Sequence, residues 1–238
     1  LLAAAHIPSL MVALVHLTGN TDHLTEARRP VYEVLGDGQG GLSDADTQAI
    51  RDLARAALTD FANGKPLPPP PTAEQVRFMM DFVAGAEIPE RYGPMLMEQL
   101  GLEGVDADRP AWSAEEKKAA ANLKVIVIGA GMSGLLTAIR LQQAGIGFTI
   151  LDKNPDVGGT WLENSYPGCR VDTPNHLYSL SFEPNHDWPQ RYSTQDVLLR
   201  YFQRLADKYG LREHIEFGAE VAEARYDEAA SNWTVTTK

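Results

Sequence analysis

The chain has 238 residues, 44% hydrophobic and 22% charged, an ordinary globular composition that excludes wholesale disorder. Its net charge of -11 is concentrated in residues 1–121, which carry -8 against -3 for 122–238, and it excludes nucleic acid as a natural partner. A single cysteine excludes a disulfide framework and a cysteine-rich zinc site and fits a cytoplasmic protein, while no run approaches the ~18 apolar residues of a membrane helix.

In chain order, the apolar opening LLAAAHIPSLMVALV lacks a basic leader and contains Pro8, so it predicts a core helix near residues 8–17. Ser43 can cap a second helix running to about Asn63. Its apolar stripe is Ile50, Leu53, Ala54, Ala57, Leu58 and Phe61, with Gly64 as the left-handed stop. The PLPPPP run at 66–71 fixes an extended, donor-poor spacer. Thr72 and Gln75 then form a capping box ahead of Val76, Met79, Met80 and Val83, with Gly85 ending that helix, and Ser113 with Glu116 repeats the signal more weakly. These patterns predict an α-helical domain over residues 1–110 and a linker over 111–122.

From Lys124 the period changes. KVIVIG reads as a strand buried on both faces, GMSGLLTAIRLQQAG as a helix ending at Gly145, and GFTILD as a second strand. A further helix starts near Ser193 or Thr194 and stops at Gly210. Short strands follow, with a hairpin turn near 227–232. The fold class is therefore α/β: a Rossmann-like nucleotide-binding domain over 123–238, built on a parallel sheet with a β-hairpin excursion and preceded by a small all-α domain. The absent initiating methionine and the strand-like ending NWTVTTK predict an incomplete domain and a piece of a longer protein.

Gly129-Ala130-Gly131-Met132-Ser133-Gly134 fits G-x-G-x-x-G between that strand and helix. The first glycine permits the tight turn, the second lets a pyrophosphate approach the backbone, and the third lets helix and strand pack closely. The helix N-terminus adds free N–H groups for the phosphates. Asp152 ends the second strand 23 residues after Gly129, where a carboxylate can accept hydrogen bonds from an adenosine ribose. The same pattern at Gly36-Asp37-Gly38-Gln39-Gly40-Gly41 fails physically, because Asp37, Asp44 and Asp46 would face the phosphates and a polyproline run follows its helix.

None of the eight tyrosines has a lysine four residues on, which weighs against a short-chain nicotinamide dehydrogenase. Gly158-Gly159 instead offers a second close backbone approach and Trp161 a flat apolar surface, which suits a longer dinucleotide such as FAD. Trp161 is equally good as plain core. His176 and His186 stand ten residues apart with no ligand cluster, so no metal site is expected.

VIVIGAGMSGLLTAIRLQQAG, ILDKNPDVGGTW and NSYPGCRVD together resemble the FAD-binding half of the flavin-dependent Baeyer-Villiger monooxygenases. GGTW followed by YPGxRxD is the specific part, and IPSLMVALVHLTGN is similar to the N-terminal extension of the 4-hydroxyacetophenone monooxygenase subgroup. The resemblance implies FAD and NADPH as cofactors, O2 and a ketone as substrates, and an ester or lactone formed through a C4a-peroxyflavin. It implies that Gly129, Gly131, Ser133 and Gly134 form the pyrophosphate loop, that Asp152 lies by the ribose and that Lys153 also binds the cofactor. Gly159, Thr160, Trp161 and Tyr178 would lie along the FAD, and Val221 near the adenine.

The resemblance further puts Arg170 and Asp172 between flavin and nicotinamide, with Asp172 catalytic because it positions an arginine. That arginine, the family fingerprint and the second glycine motif would follow residue 238, so the chain alone is not expected to turn over. Residues alone leave Asp172 free to be a turn cap before Pro174, and they make Cys169 a small packed residue, since nothing beside it but Arg170 would activate a nucleophile. Two other readings stand beside the first: a flavin monooxygenase hydroxylating nitrogen or sulfur, or a non-catalytic helical assembly module. A homo-oligomer through the N-terminal helices is a further expectation, from a helical appendage the flavin chemistry does not need.

Overall fold

A computed structural model describes residues 2–33, 38–100, 106 and 108–238. Gly36 and Asp37 of the first glycine run lie outside the described residues, as do 101–105 and 107. The chain divides into two compact units, Leu1–Ala107 and Asp108–Lys238.

The first unit is helical: α1 (Ile7–Thr18), α2 (Asp44–Ala62), α3 (Ala73–Ala84) and α4 (Gly93–Leu100). Local chemistry explains its boundaries. Ser43 Oγ accepts the Asp46 N–H at 3.1 Å to start α2. In the Thr72 capping box, Thr72 Oγ1 accepts the Gln75 N–H at 3.2 Å and Gln75 Oε1 accepts the Thr72 N–H at 2.9 Å. Gly85, at φ 68°, stops α3. Ile7, Met11, Leu14, Ile50, Val76, Met79 and Phe82 form the core of this unit.

Two expectations need correction in this unit. Of the predicted α2 stripe, Ile50 and Ala54 are buried, but Leu53, Leu58 and Phe61 are 47%, 42% and 51% exposed. The 19-residue α2 is about 28 Å long and the 12-residue α1 packed along it about 18 Å, so α1 cannot cover the whole stripe. In α3 it is Phe82 that is fully buried, one position before the predicted Val83.

In the second unit, α5 (Ala114–Ala119) occupies the predicted linker, started by the Ser113–Glu116 capping box. Then come β1 (Lys124–Ile128), α6 (Met132–Ala144), β2 (Gly147–Asp152), the short α7 (Thr160–Glu163), α8 (Gln195–Lys208) and β3 (Ile215–Phe217). The strands form a parallel sheet in the order β1-β2-β3, with Val127 opposite Ile150 and Ile150 opposite Ile215. That row packs against Leu135 and Ile139 of α6 and Leu198, Phe202 and Leu205 of α8. β4 (Val221–Asp227) and β5 (Asn232–Thr237) form a separate antiparallel hairpin, with Tyr226 opposite Trp233. This is a Rossmann-like α/β unit.

β1 departs from its predicted burial on both faces: Ile126 and Ile128 are 46% and 60% exposed. They alternate with the packed Val125 and Val127, so only one face of β1 meets the helices among the described residues. No helix among the described residues is long and apolar enough to cross a membrane.

Candidate functional site: a groove between two glycine loops

The parallel pairing of β1 and β2 sets the first glycine loop directly beside the end of β2. Gly129 leaves β1 at φ 96°, a conformation that favours glycine, and its N–H donates to Leu151 O at 2.8 Å. The next peptide is gripped from both sides. The Ala130 N–H donates to Asp152 Oδ2 at 2.5 Å, and Ala130 O accepts the Gly158 N–H at 3.0 Å. Asp152 is 4% exposed, and its other oxygen accepts the Asn154 N–H at 2.7 Å.

Glycine is required here by space. A Cβ on Gly159 would meet Gly131 Cα at 2.9 Å, so the two loops touch backbone to backbone. A Cβ on Gly134 would sit 1.8 Å from Gly129 O, so the helix can rest on the loop only without a side chain. Gly131 caps α6, and the first-turn N–H groups of that helix have no intrahelical acceptor.

Between these loops lies a cavity of about 330 Å³ lined by Gly129, Gly131, Asp152, Lys153, Gly159 and Val221 of the predicted residues. Ile128, Leu151, Asn154, Glu163, Ala219 and Glu220 complete it and were not legible in advance. The last two arrive because the Ala219 N–H donates to Asp152 O at 2.9 Å, a contact across 67 residues that no local pattern announces.

The rim carries three carboxylates, Asp152, Glu163 and Glu220, against one ammonium, Lys153. Hydrogen bonds from the Asn154 amide (2.9 Å) and from Lys153, together with the Lys153 charge, hold the Glu163 carboxyl below its usual range. The Lys238 ammonium at 2.5 Å does the same for Glu220, with a smaller contribution from the Lys153 charge.

The remaining predicted residues lie outside this cavity. Ser133 is exposed on the first turn of α6 and Thr160 on the first turn of α7. Trp161 is 7% exposed and belongs to the core, with its ring edge-on to Tyr178 at 5.7 Å and its indole N–H donating to Tyr178 Oη at 3.2 Å. Cys169 is a buried free thiol.

The stretch from Cys169 to Asn175 is fastened at both ends. Gln195 N–H donates to Cys169 O at 2.9 Å and Val171 N–H to Ser193 O at 3.1 Å. Asn175, fully buried, donates to Ser193 Oγ at 2.7 Å and accepts the Ser193 N–H at 2.9 Å. Between these anchors Arg170 and Asp172 are exposed, and Asp172 has no hydrogen bond or ion pair among the described residues. The turn-cap account of Asp172 therefore has no bond to support it, and the loop presents an uncommitted carboxylate on a fixed backbone.

Residues 127–193 match the family model of the NAD(P)-binding Rossmann-like domain. The uncharacterized monooxygenase y4iD of Sinorhizobium fredii is 35% identical over 234 residues, which is 98% of this chain and 34% of that protein. Baeyer-Villiger monooxygenases of Streptomyces coelicolor and Pseudomonas aeruginosa are 43% and 42% identical over 52% and 48% of this chain, and 24% and 22% of their own length. The chain is akin to the Baeyer-Villiger and FAD-binding monooxygenases. It spans about a third or less of the length of these relatives. A steroid monooxygenase structure bound to NADP is 37% identical over 47% of this chain and 22% of that one, with a TM-score of 0.46. The y4iD match takes in 234 of the 238 residues and so extends over both units.

Proposed function

We propose that the chain is the N-terminal, FAD-binding part of a flavin-dependent Baeyer-Villiger monooxygenase. On this reading residues 1–110 form a helical extension, 111–122 a linker and 123–238 the cofactor domain. The observation that carries it is the groove in which two glycine loops meet over a buried carboxylate, with Gly129, Gly131, Asp152, Lys153, Gly159 and Val221 on its wall.

The residues fit FAD. Gly131 and Gly159 meet backbone to backbone with no room for a Cβ on Gly159, and the α6 N-terminus supplies donors for a pyrophosphate. A carboxylate has about four acceptor positions; protein N–H groups take one on each oxygen of Asp152, which leaves room for ribose hydroxyls. Three carboxylates against Lys153 and the Lys238 paired with Glu220 still leave the rim net negative, which opposes the 2′-phosphate of NADPH, so this groove favours FAD and leaves NADPH for another part of the protein.

Gly129, Gly131, Ser133 and Gly134 would hold the pyrophosphate, Asp152 and Lys153 the ribose, and Val221 the adenine side. Gly159 and Thr160 would follow the cofactor, and Trp161 and Tyr178 would support it from the core. Bound FAD, reduced by NADPH, supplies the activation of O2 for oxygen insertion beside a ketone carbonyl. Arg170 and Asp172 act at that reaction face, Asp172 as the carboxylate that orients a cation from outside this chain. The finer placement beside the 4-hydroxyacetophenone monooxygenase subgroup rests on the resemblance of IPSLMVALVHLTGN to that subgroup's N-terminal extension.

The test uses the full-length protein with NADPH, a panel of ketones and isotopically labelled O2. An ester carrying one labelled oxygen is expected. Oxygenation of amines or sulfides alone would move the assignment to the hydroxylating flavin monooxygenases, and no oxygenation of any kind would leave the helical assembly module as the better account. Asp172→Ala is expected to keep FAD bound while ester formed per NADPH consumed drops by about tenfold or more. Unchanged coupling in that variant would remove Asp172 from the reaction face.

A further inference from the structure

The width of the groove depends on where the second loop, 154–159, is held. That loop meets the first through the Gly158 N–H bond to Ala130 O and the Gly131–Gly159 contact. Its far side is fixed by one carboxylate outside the cavity, Asp156. Asp156 accepts Arg212 Nη1 at 2.6 Å, Gln203 Nε2 at 2.7 Å and the Val157 N–H at 2.8 Å. Gln203 lies on α8 and Arg212 in the turn that follows it, where Arg212 Nε is held in turn by Asp207 at 2.5 Å.

Burial raises the Asp156 carboxyl, yet Arg212, Val157 and Gln203 outweigh it and keep the group below its usual range, hence charged at neutral pH. The side chains of Asp156 and Arg212 remain 28% and 40% exposed. A partly exposed ion pair of this kind contributes little to global stability. Its geometric leverage is larger, because the loop it holds lies backbone to backbone against the first: a Cβ on Gly159 would meet Gly131 Cα at 2.9 Å.

We propose that Asp156, clamped by Arg212 and Gln203, is a positioning residue for the cofactor groove: it sets the second glycine loop against the first, and so sets FAD affinity. The inference rests on the FAD reading above, and its test separates the two. Full-length protein is stripped of flavin, and wild type, Asp156→Asn, Arg212→Gln and the double variant are titrated with FAD and melted as apo-proteins. Each single variant is expected to bind FAD about tenfold or more weakly with an apo melting point close to wild type, and the double variant no worse than the weaker single, since one ion pair serves both.

FAD affinity unchanged in both singles would overturn the proposal. So would a loss of affinity matched by an equally large loss of apo stability, which is the mark of a merely structural pair. Wild-type protein that takes up no FAD would overturn the cofactor reading itself, and this inference with it.

Discussion

Gly134→Ala is expected to abolish FAD binding and to destabilise the second unit by about 3 kcal/mol or more, at the upper end of the usual cost of overpacking. The added methyl would lie 1.8 Å from Gly129 O, 3.0 Å from Gly129 C and 3.6 Å from Val127 Cγ1. Two of these three atoms are backbone, so no side chain can swing away. Either α6 lifts off the sheet or the first glycine loop moves, and both changes dismantle the pyrophosphate cradle. The cost is one of space alone, since Gly134 lies inside a regular helix. Gly145→Ala is the control: nothing lies within 4 Å of its Cβ, but φ is 75°, so only a backbone strain of about 1–2 kcal/mol is expected, with FAD affinity retained. Thermal unfolding of the two variants beside an FAD titration checks both statements. Equal effects of the two substitutions would contradict the packing account.

Asp152→Asn is expected to cost about 2–3 kcal/mol and most of the flavin affinity. Both carboxylate oxygens accept backbone N–H groups, from Ala130 and from Asn154, at a position 4% exposed to water. An asparagine side chain keeps one acceptor and turns a second donor against the other N–H. A buried donor left without a partner costs about 1–3 kcal/mol, and the lost charge weakens the bond that remains. The consequence reaches the ligand through Ala130, whose peptide ties the first loop to Asp152 on one side and to Gly158 on the other. Apo-protein melting and FAD titration read the two effects separately. A variant as stable as wild type would contradict the anchoring role.

Much of the fold was legible because its cues are local. Ser43, Thr72 and Ser113 each accept the N–H three residues on, so a helix start is written within four residues. The glycine loop was legible for the same reason, since strand, turn and helix are contiguous from Lys124 to Ala144. Burial was harder. KVIVI has the composition of a strand covered on both faces, but coverage depends on which elements pack there, and Ile126 and Ile128 lie on the face that no described helix covers.

The site was legible in part. Gly129, Gly131, Asp152 and Gly159 could be named from spacing, because each belongs to a short segment with its own chemistry. Ala219 and Glu220 could not, since they reach the site through the parallel pairing of β2 with β3, nor could Arg212, which holds the second loop at Asp156 from the turn after α8. Asp152 shows what spacing leaves out: its position was readable as that of a ribose acid, while its bonds to Ala130 and Asn154 required the folded backbone.

The most direct test of the central claim is the identity and stoichiometry of the flavin released on denaturing the purified full-length protein. One FAD per chain, lost together with visible absorbance in Gly134→Ala, is the predicted result. A colourless wild-type protein, or flavin retained undiminished in Gly134→Ala, would contradict the assignment of the groove between the two glycine loops as the FAD site.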